Sequence, residues 1–383
     1  MTDDRWVLVS GDFTPLGGMD AANWGLARHL ARTARVELVT HRAWPDLIEM
    51  PNLTLHAVRR PFNKHVLGEW FLNRAGRSVA AANPTARVVV NGGNCSWNDV
   101  NWVHYVHTAY ASPTGLGTSR LRRWKQAWHA RRSLRLEREV LTASRVVVCN
   151  SHLSARHVVE LVGVPEDRVQ VVYYGVDALR FGPISPSEKA AARVSLGWDD
   201  RPWVVFVGAM GDARKGFDTL YEAWKINCRE ATWDANLAVV GRGSAVEAWQ
   251  ARAKADGLAD RVRFLGFRTD VPPILAAADL MVHPARYEAY GLGVQEALCR
   301  GLPVMVSAGA GIAERYPADL RELLIRDPEN AVELAASLRH WHGEIEQWAA
   351  RIAPFSEVLR GWTWDDMAAE FATTVSSRSL TYG

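Results

Sequence analysis

The stretch WVVFVGAMGDARKGFDTL, residues 203–220, decides the fold. Its first residues, WVVFV at 203–207, are apolar and mostly β-branched, the composition of a buried strand. Glycines follow at 208, 211 and 216, and the segment then runs into the helical spacing of FDTL. Strand, glycine-bearing loop and helix make up the first half of a βαβ unit. Arg214 and Lys215 fall on the loop, at the carboxyl end of the strand. Two cations beside a helix start suit a diphosphate; on these residues alone they read equally as a solvated basic pair at a turn.

Outward from this unit the same alternation repeats. Downstream come NLAVV at 236–240, RVRFL at 261–265, DLMVH at 279–283 and PVMV at 303–306. Upstream are WVLVS at 6–10, VELVT at 36–40, LTLHAV at 53–58, RVVVN at 87–91, WVHYV at 102–106, RVVVC at 145–149 and VQVVY at 169–173. Longer segments of helical spacing separate most of them, such as MDAANWGLARHLARTA at 19–34. Near-continuous apolar strands alternating with helices predict an α/β chain with parallel, doubly wound sheets. The pattern pauses over 175–202, which carries Pro183, Pro186 and Pro202 and reads as a link. Two domains follow, 1–178 and 179–355, with a terminal segment 356–383 whose GWTWDDMAAEFATTV (361–375) reads as a helix. Ligands of open α/β sheets bind beyond the carboxyl ends of the strands. Two such sheets can face each other across a cleft, and closure would exclude water.

Composition narrows the function classes. The 383 residues are 48% hydrophobic and 23% charged, ordinary for a globular chain, and the net charge of +3 is too small to argue for nucleic acid. Cys95, Cys149, Cys228 and Cys299 are scattered, without a C-x-x-C pair, and read as reduced thiols. The acidic start MTDDRWVLVSG is unlike a secretory signal, and no apolar run reaches the length of a membrane span, so a cytoplasmic location is expected. Tryptophan is abundant at 17 residues; this side chain fills cores, stacks on sugar rings and sits at membrane surfaces.

The most specific motif is ARYEAYGLGVQEALCRGLPV, residues 285–304. A helix is predicted to begin near Leu292 or Gly293 and to carry Glu296 in its first turns. Gly291 and Gly293 allow close approach of a ligand to the backbone, and the N–H groups of such a helix start favour phosphate. A carboxylate there can accept hydrogen bonds from vicinal hydroxyls, as on a ribose. Glu288, on the loop after DLMVH, would meet the sugar side of the same ligand. The plain alternative is a pair of solvated acids at a helix start.

Together these segments resemble the retaining, nucleotide-sugar-dependent glycosyltransferases of family 4, which have the GT-B fold. GDFTPLGGMDAANWGLARHLA (11–31) is similar to the family's glycine-rich loop and first helix. SRVVVCNSHLSARHVVELVGVPEDRVQVVYYGVD (144–177) resembles the segment closing its first domain. RKGFDTLYEAW, VVGRGS, the Glu288–Glu296 spacing and GWTWDDMA follow in the family's order.

The resemblance implies an acceptor-side first domain, a donor domain, and a final helix crossing back to the first. It implies that Lys215, with Arg214, contacts the diphosphate of a UDP- or GDP-sugar and that Glu296 holds the ribose. Glu288 would contact the transferred hexose, with Tyr290, Gly291 and Leu292 offering backbone N–H groups. Gly17 and Gly18 would bring the first domain's loop to the phosphates, and His107, in YVHTAY, would lie near the reacting sugar as a positioning group or a base; His104 reads as structural. Ala209 stands where an arginine is common, with Arg214 or Arg242 as candidate substitutes; Gly293, Gln295 and Tyr174 are also unusual choices. A front-face mechanism needs neither a metal nor a protein base, and the chain contains no D-x-D metal motif. Asp199–Asp200 and Asp365–Asp366 suit linker and capping positions.

The acceptor would be a hydroxyl on a glycan, a lipid-linked molecule or a secondary metabolite. The basic segment TSRLRRWKQAWHARRSLRLERE (118–139), with Trp124 and Trp128 a helical turn apart, suits peripheral contact with an anionic inner membrane face; a solvated helix with inward tryptophans is the alternative. A nicotinamide dehydrogenase is disfavoured, because VVGRGSAVE (239–247) lacks the third glycine of the dinucleotide fingerprint. An epimerase on the same fold and a non-catalytic nucleotide-sugar-binding protein are the rival readings.

Overall fold

The β-branched runs pair as parallel strands, and the intervening helices cover both faces of each sheet. The computed structural model describes residues 4–61, 65–110 and 120–379, without the side chains at 65, 66, 120–127, 129, 130, 378 and 379. Two contact networks divide the chain: one runs to Gly175 and resumes at Thr363, and the other spans Val176–Trp362. The helix Ile345–Arg360 thus belongs to the second unit, and the return to the first begins at Thr363, not at 356.

The first unit contains β1 (Arg5–Val9), β2 (Asp12–Phe13), α1 (Gly18–Leu30), β3 (Arg35–Thr40), β4 (Arg42–Ala43), α2 (Pro45–Ile48), β5 (Leu53–Ala57), α3 (His65–Ala82), β6 (Arg87–Val90), β7 (Val100–Val103), α4 (Arg120–Ala143), β8 (Val146–Cys149), α5 (His152–His157) and β9 (Val169–Val171). Its main sheet has the order β5-β3-β1-β6-β7-β8-β9, and every pair is parallel. The second unit contains α6 (Pro186–Leu196), β10 (Trp203–Val207), α7 (Phe217–Asn227), β11 (Asn236–Val240), α8 (Val246–Ala255), β12 (Val262–Gly266), α9 (Val271–Ala277), β13 (Leu280–His283), α10 (Leu292–Cys299), β14 (Val304–Ser307), β15 (Leu324–Ile325), α11 (Ala331–Gly343) and α12 (Ile345–Arg360). Its sheet, also all parallel, runs β12-β11-β10-β13-β14-β15. The last helix, α13 (Trp364–Ser379), packs on α1 in the first unit.

Sequence sets the helix ends as well as the strands. The segment predicted as a link holds α6, which starts with a serine cap. The Ser185 hydroxyl accepts the Glu188 N–H at 3.1 Å, and Pro186 occupies the first turn. Tryptophan is largely core material: Trp6, Trp102, Trp203, Trp224, Trp341 and Trp348 are fully buried. None of the four cysteines is bonded to another. The basic segment 118–139 lies only partly within the described residues. Residues 118 and 119 and the Trp124 side chain fall outside them; Trp128 is 49% exposed, with the Arg132 guanidinium 5.9 Å from its ring centre. No helix among the described residues is long and apolar enough to cross a membrane.

Candidate functional site

In the second sheet the winding reverses at β10. The chain proceeds from β10 to β11 and β12 on one side, then crosses to β13, β14 and β15 on the other. Loops leaving the carboxyl ends of β10 and β13 therefore diverge and leave a crevice, the usual ligand position in such sheets. Lys215 follows β10 and Glu288 follows β13. Lys215 Nζ donates to Glu288 Oε2 at 2.6 Å, and His283 Nε2 donates to the same oxygen at 3.1 Å. Arg214 Nη1 lies 3.7 Å from it. These side chains are nearly enclosed, at 17% exposure for Lys215, 16% for Glu288 and 5% for His283.

The electrostatics follow from that enclosure. Burial pushes the Glu288 carboxyl upward, but the Lys215 charge and the hydrogen bond from His283 outweigh it and hold Glu288 well below the usual carboxylate range. Burial lowers the pKa of His283, and the neighbouring Lys215 charge acts in the same direction, against the hydrogen bond to Glu288. A neutral His283 that donates from Nε2 leaves Nδ1 bare, and that atom is buried without a partner among the described residues.

Two features lock the loops together. Gly216 has φ of 70°, and a Cβ there would sit 1.9 Å from the Pro284 carbonyl oxygen. Only glycine lets the start of α7 pass so close to the end of β13. Arg286 then clamps the pair: its guanidinium reaches Asp218 at 2.8 Å and Glu329 at 2.9 Å, and its N–H donates to the Arg214 carbonyl at 2.8 Å.

The predicted helix start is α10, whose first residue is Leu292. Gly291 caps it with φ of 108°; its carbonyl accepts the N–H groups of Val294 at 3.0 Å and Gln295 at 3.1 Å, which leaves those of Leu292 and Gly293 without an intrahelical acceptor. The Glu296 carboxyl makes no hydrogen bond or ion pair with any described residue, whereas the backbone carbonyl accepts the Arg300 N–H at 3.3 Å. Burial pushes its carboxyl up to about 7, against the Arg180 charge and with a small contribution from Asp177. The two glutamates thus differ: Glu288 is held as an anion, and Glu296 is a desolvated acid poised near neutrality. Tyr290 turns its side chain into the core, where its hydroxyl donates to Gln295 Oε1 and Arg315 Nη1 lies 3.3 Å from both oxygens. Gln295, an unusual choice in sequence, is thereby a buried structural acceptor. Ala209 is exposed. Of the candidate substitutes, Arg214 is bonded to Asp212 and the Tyr287 carbonyl, whereas Arg242 lies over the Phe267 ring at 4.5 Å.

The first unit has its own reversal, between β1 and β6, and a cavity of about 420 Å³ lies there. Its lining includes Asp12, Asp20, Arg60 and His107. His107 opens a short turn after β7. The Glu137 carboxylate, on α4 and 3% exposed, accepts from His107 Nδ1 at 2.9 Å and from the N–H groups of His107 (2.7 Å) and Thr108 (3.0 Å). With Nδ1 donating, Nε2 is the ring's acceptor. Burial, with Asp12 nearby, raises the Asp20 carboxyl to about 6. His104 is half-buried and accepts from Asn91 at 2.7 Å, and its other nitrogen contacts the Tyr174 hydroxyl, which gives the unusual Tyr174 a structural place. Burial pushes His104 down to about 3. Gly17 has φ of 88° at the start of α1 and is exposed, and Gly18, the first residue of the helix, is half-buried.

Lys215, Arg214 and Glu288 are thus brought into one cluster in the second unit. Tyr290, Gly291, Leu292 and Glu296 lie on the adjoining loop and helix, and His107, Gly17 and Gly18 belong to the first unit. Sequence reading missed His283, Arg286, Glu137 and Asp20. All four stand inside quoted stretches, so position was a signal for each; the pairing of Glu137 with a histidine 30 residues away was not. No cluster of His, Cys, Asp and Glu among the described residues is suited to a metal ion.

Comparison with known proteins matches both halves to glycosyltransferase families. Residues 16–180 match the model described as Glycosyltransferase Family 4, and residues 201–343 match Glycosyl transferases group 1. The chain is 31% identical over 218 residues to the lipopolysaccharide core biosynthesis mannosyltransferase LpsB of Rhizobium meliloti, covering 49% of this chain and 61% of LpsB. It is 30% identical over 247 residues to a D-inositol 3-phosphate glycosyltransferase of Xylanimonas cellulosilytica, covering 61% of this chain and 57% of that protein. The matches therefore span less than two thirds of these relatives. Among solved structures, sucrose-phosphate synthase from Thermosynechococcus elongatus superposes with a TM-score of 0.76 at 20% identity, covering 98% of this chain and 99% of that one. HepE of Anabaena in complex with UDP-glucose gives 0.75 at 21% identity, covering 97% and 99%. These likenesses show the expected fold, GT-B.

Proposed function

We propose that this chain, a relative of the family 4 and group 1 glycosyltransferases, transfers a hexose from a nucleoside-diphosphate sugar to a hydroxyl acceptor with retention of anomeric configuration. The observation that carries the reading is the Lys215–Glu288–His283 cluster at the reversal of the second sheet, beside the glycine-capped start of α10 that bears Glu296. LpsB and the inositol-phosphate enzyme are named for sugar transfer, and HepE was solved with UDP-glucose, which supports a UDP- or GDP-sugar as donor.

Chemistry assigns each group a task. Breaking the anomeric C–O bond puts positive charge on the sugar carbon and negative charge on the leaving phosphate. Lys215, Arg214 and the first N–H groups of α10 supply fixed positive charge for the leaving diphosphate. Ionised Glu296 accepts both ribose hydroxyls. Glu288, held ionised, faces the transferred sugar, with Tyr290, Gly291 and Leu292 supplying backbone N–H groups. On a front-face route the acceptor oxygen bonds to the carbon on the side the phosphate leaves, and the acceptor proton passes to the departing phosphate oxygen. No metal takes part in that step. The acceptor is assigned to the cavity in the first unit, with His107 as its positioning group and Gly17 and Gly18 contributing to the phosphate side. A cytoplasmic enzyme meeting an acceptor at the inner membrane face would use the segment 118–139.

Incubation of the purified protein with UDP- and GDP-hexoses tests this reading. Nucleoside diphosphate release that depends on added acceptor is the expected result. Isomerised donor would mean an epimerase, and donor bound without turnover over any acceptor panel would mean a binding protein.

A further inference from the structure

In the first unit, α3 (His65–Ala82) has two faces of different character. Gly68, Leu72, Gly76 and Ala80 recur at helical spacing and are buried. A Cβ on Gly76 would sit 2.8 Å from Val9, so this side of the helix lies directly on β1. The opposite stripe of a solvated helix is ordinarily polar. Here it begins with Leu67, Trp70 and Phe71, which are 40%, 51% and 38% exposed, the two rings meeting edge to face at 4.9 Å. One and two turns beyond Trp70 it carries Arg74 and Arg77, both exposed. Neighbouring large apolar side chains held in water carry a free-energy cost that a covering surface removes.

Charge narrows what covers them. The Arg74 guanidinium lies 5.9 Å from the Trp70 ring centre, and neither Arg74 nor Arg77 pairs with a carboxylate among the described residues. The only acid of the helix, Glu69, lines the cavity of the first unit. Asn73 Oδ1 accepts the Ser96 N–H at 2.9 Å, which holds the following Trp97 beside the stripe. Trp70, Asn73, Arg74, Arg77 and Trp97 line one groove of about 530 Å³. A second copy meeting this face with its own would set arginine against arginine. A soluble saccharide could stack on the indoles but would leave Leu67 and Phe71 in water. An anionic bilayer supplies both components: phosphates for the guanidiniums and, below them, the acyl boundary in which Trp, Phe and Leu side chains settle.

We infer that α3 docks the protein on an anionic phospholipid surface, with Leu67, Trp70 and Phe71 entering the headgroup boundary and Arg74 and Arg77 meeting lipid phosphates. This face is separate from the segment 118–139, and its docking does not depend on sugar transfer. Leu72 of the same helix lines the cavity assigned above to the acceptor, so docking through α3 would bring that cavity to a lipid-carried acceptor; that step alone rests on the proposed function.

Co-sedimentation of the full chain with vesicles, in the absence of any nucleotide sugar, tests the inference. Binding to equimolar phosphatidylglycerol–phosphatidylcholine vesicles is expected, at least about tenfold stronger than to phosphatidylcholine alone, because each surface arginine gains from the negative potential. Arg74→Gln with Arg77→Gln should weaken that binding by about tenfold or more, and Trp70→Ser with Phe71→Ser should remove most of it. All four positions are exposed, so thermal unfolding of these variants should match that of the wild type. No binding to the phosphatidylglycerol vesicles, or equal binding to both kinds, would overturn the inference. Variants of α3 that sediment like the wild type, with loss only in Trp128→Ser, would move docking to the segment 118–139 and overturn it as well. Displacement from the vesicles by hexaglutamate at matched charge would reassign the face to an acidic protein partner.

Discussion

At the scale of single residues, Glu288 and Glu296 have opposite electrostatics, and this gives each a distinct pH signature. Glu296 has its folded pKa raised to about 7 by burial. The unfolded chain therefore loses this proton first as pH rises, and the group costs stability progressively from its ordinary range up to about neutrality. Glu296→Gln should flatten that part of the stability curve in urea unfolding. It should also weaken nucleoside diphosphate binding by about tenfold or more, the cost of losing hydrogen bonds to a charged acceptor. Wild-type affinity should fall as pH drops below neutrality, and the variant should show no such fall. Glu288 is depressed, so its contribution is present above the ordinary carboxylate range and disappears on acidification. Glu288→Gln should cost about 3 kcal/mol at neutral pH, by leaving Lys215 enclosed without its anion, and progressively less at acid pH. Its turnover should fall further than its nucleotide affinity; unchanged turnover would remove Glu288 from the reacting sugar.

At the scale of elements, the junction of α7 with β13 depends on one glycine. Gly216→Ala would place a methyl group 1.9 Å from the Pro284 oxygen on a backbone with φ of 70°. The expected loss is at least about 2 kcal/mol, combining the backbone conformation with the steric shift, together with weaker nucleotide binding as the Lys215 loop moves. Gly309→Ala, with open space around its Cβ, serves as the control and should be near neutral. The same elements show what was legible in sequence. Strand, loop and helix at 203–220 were readable because alternation and glycine spacing are local. The Glu288–Glu296 pair was readable because it lies on one loop and its helix. The helix α6 within the presumed link and the two-residue β15 were not, since one is flanked by prolines and the other is too short to carry a period. Arg286 and Glu137 act through partners distant in sequence, up to 73 residues away for Arg286 and the Ala213 carbonyl, and only folding discloses those pairings; His283 lies five residues before its partner Glu288, within reach of a local reading.

At the scale of the whole molecule, α13 belongs to the first unit although 187 residues of the second unit, Val176–Trp362, precede it in the chain. Met367, Ala368, Phe371 and Val375 are fully buried, and the Phe371 ring lies 4.7 Å from that of Trp102. Phe371→Ala should cost about 3–5 kcal/mol, the usual range for emptying a buried aromatic site. In scanning calorimetry the loss should fall on one transition, while nucleoside diphosphate raises the other, because ligand stabilises the unit that binds it. A single transition shifted equally by both would contradict separate contributions of the two units.

The central claim is that the second unit holds the donor diphosphate with Lys215 and the start of α10. Crystal structures with UDP and with GDP test it most directly. The account predicts that one of these nucleotides places its β-phosphate within hydrogen-bonding distance of Lys215 Nζ and of the first N–H groups of α10, and its ribose hydroxyls on Glu296. Either nucleotide bound elsewhere, with Lys215 still on Glu288 and Glu296 still unpartnered, would contradict it.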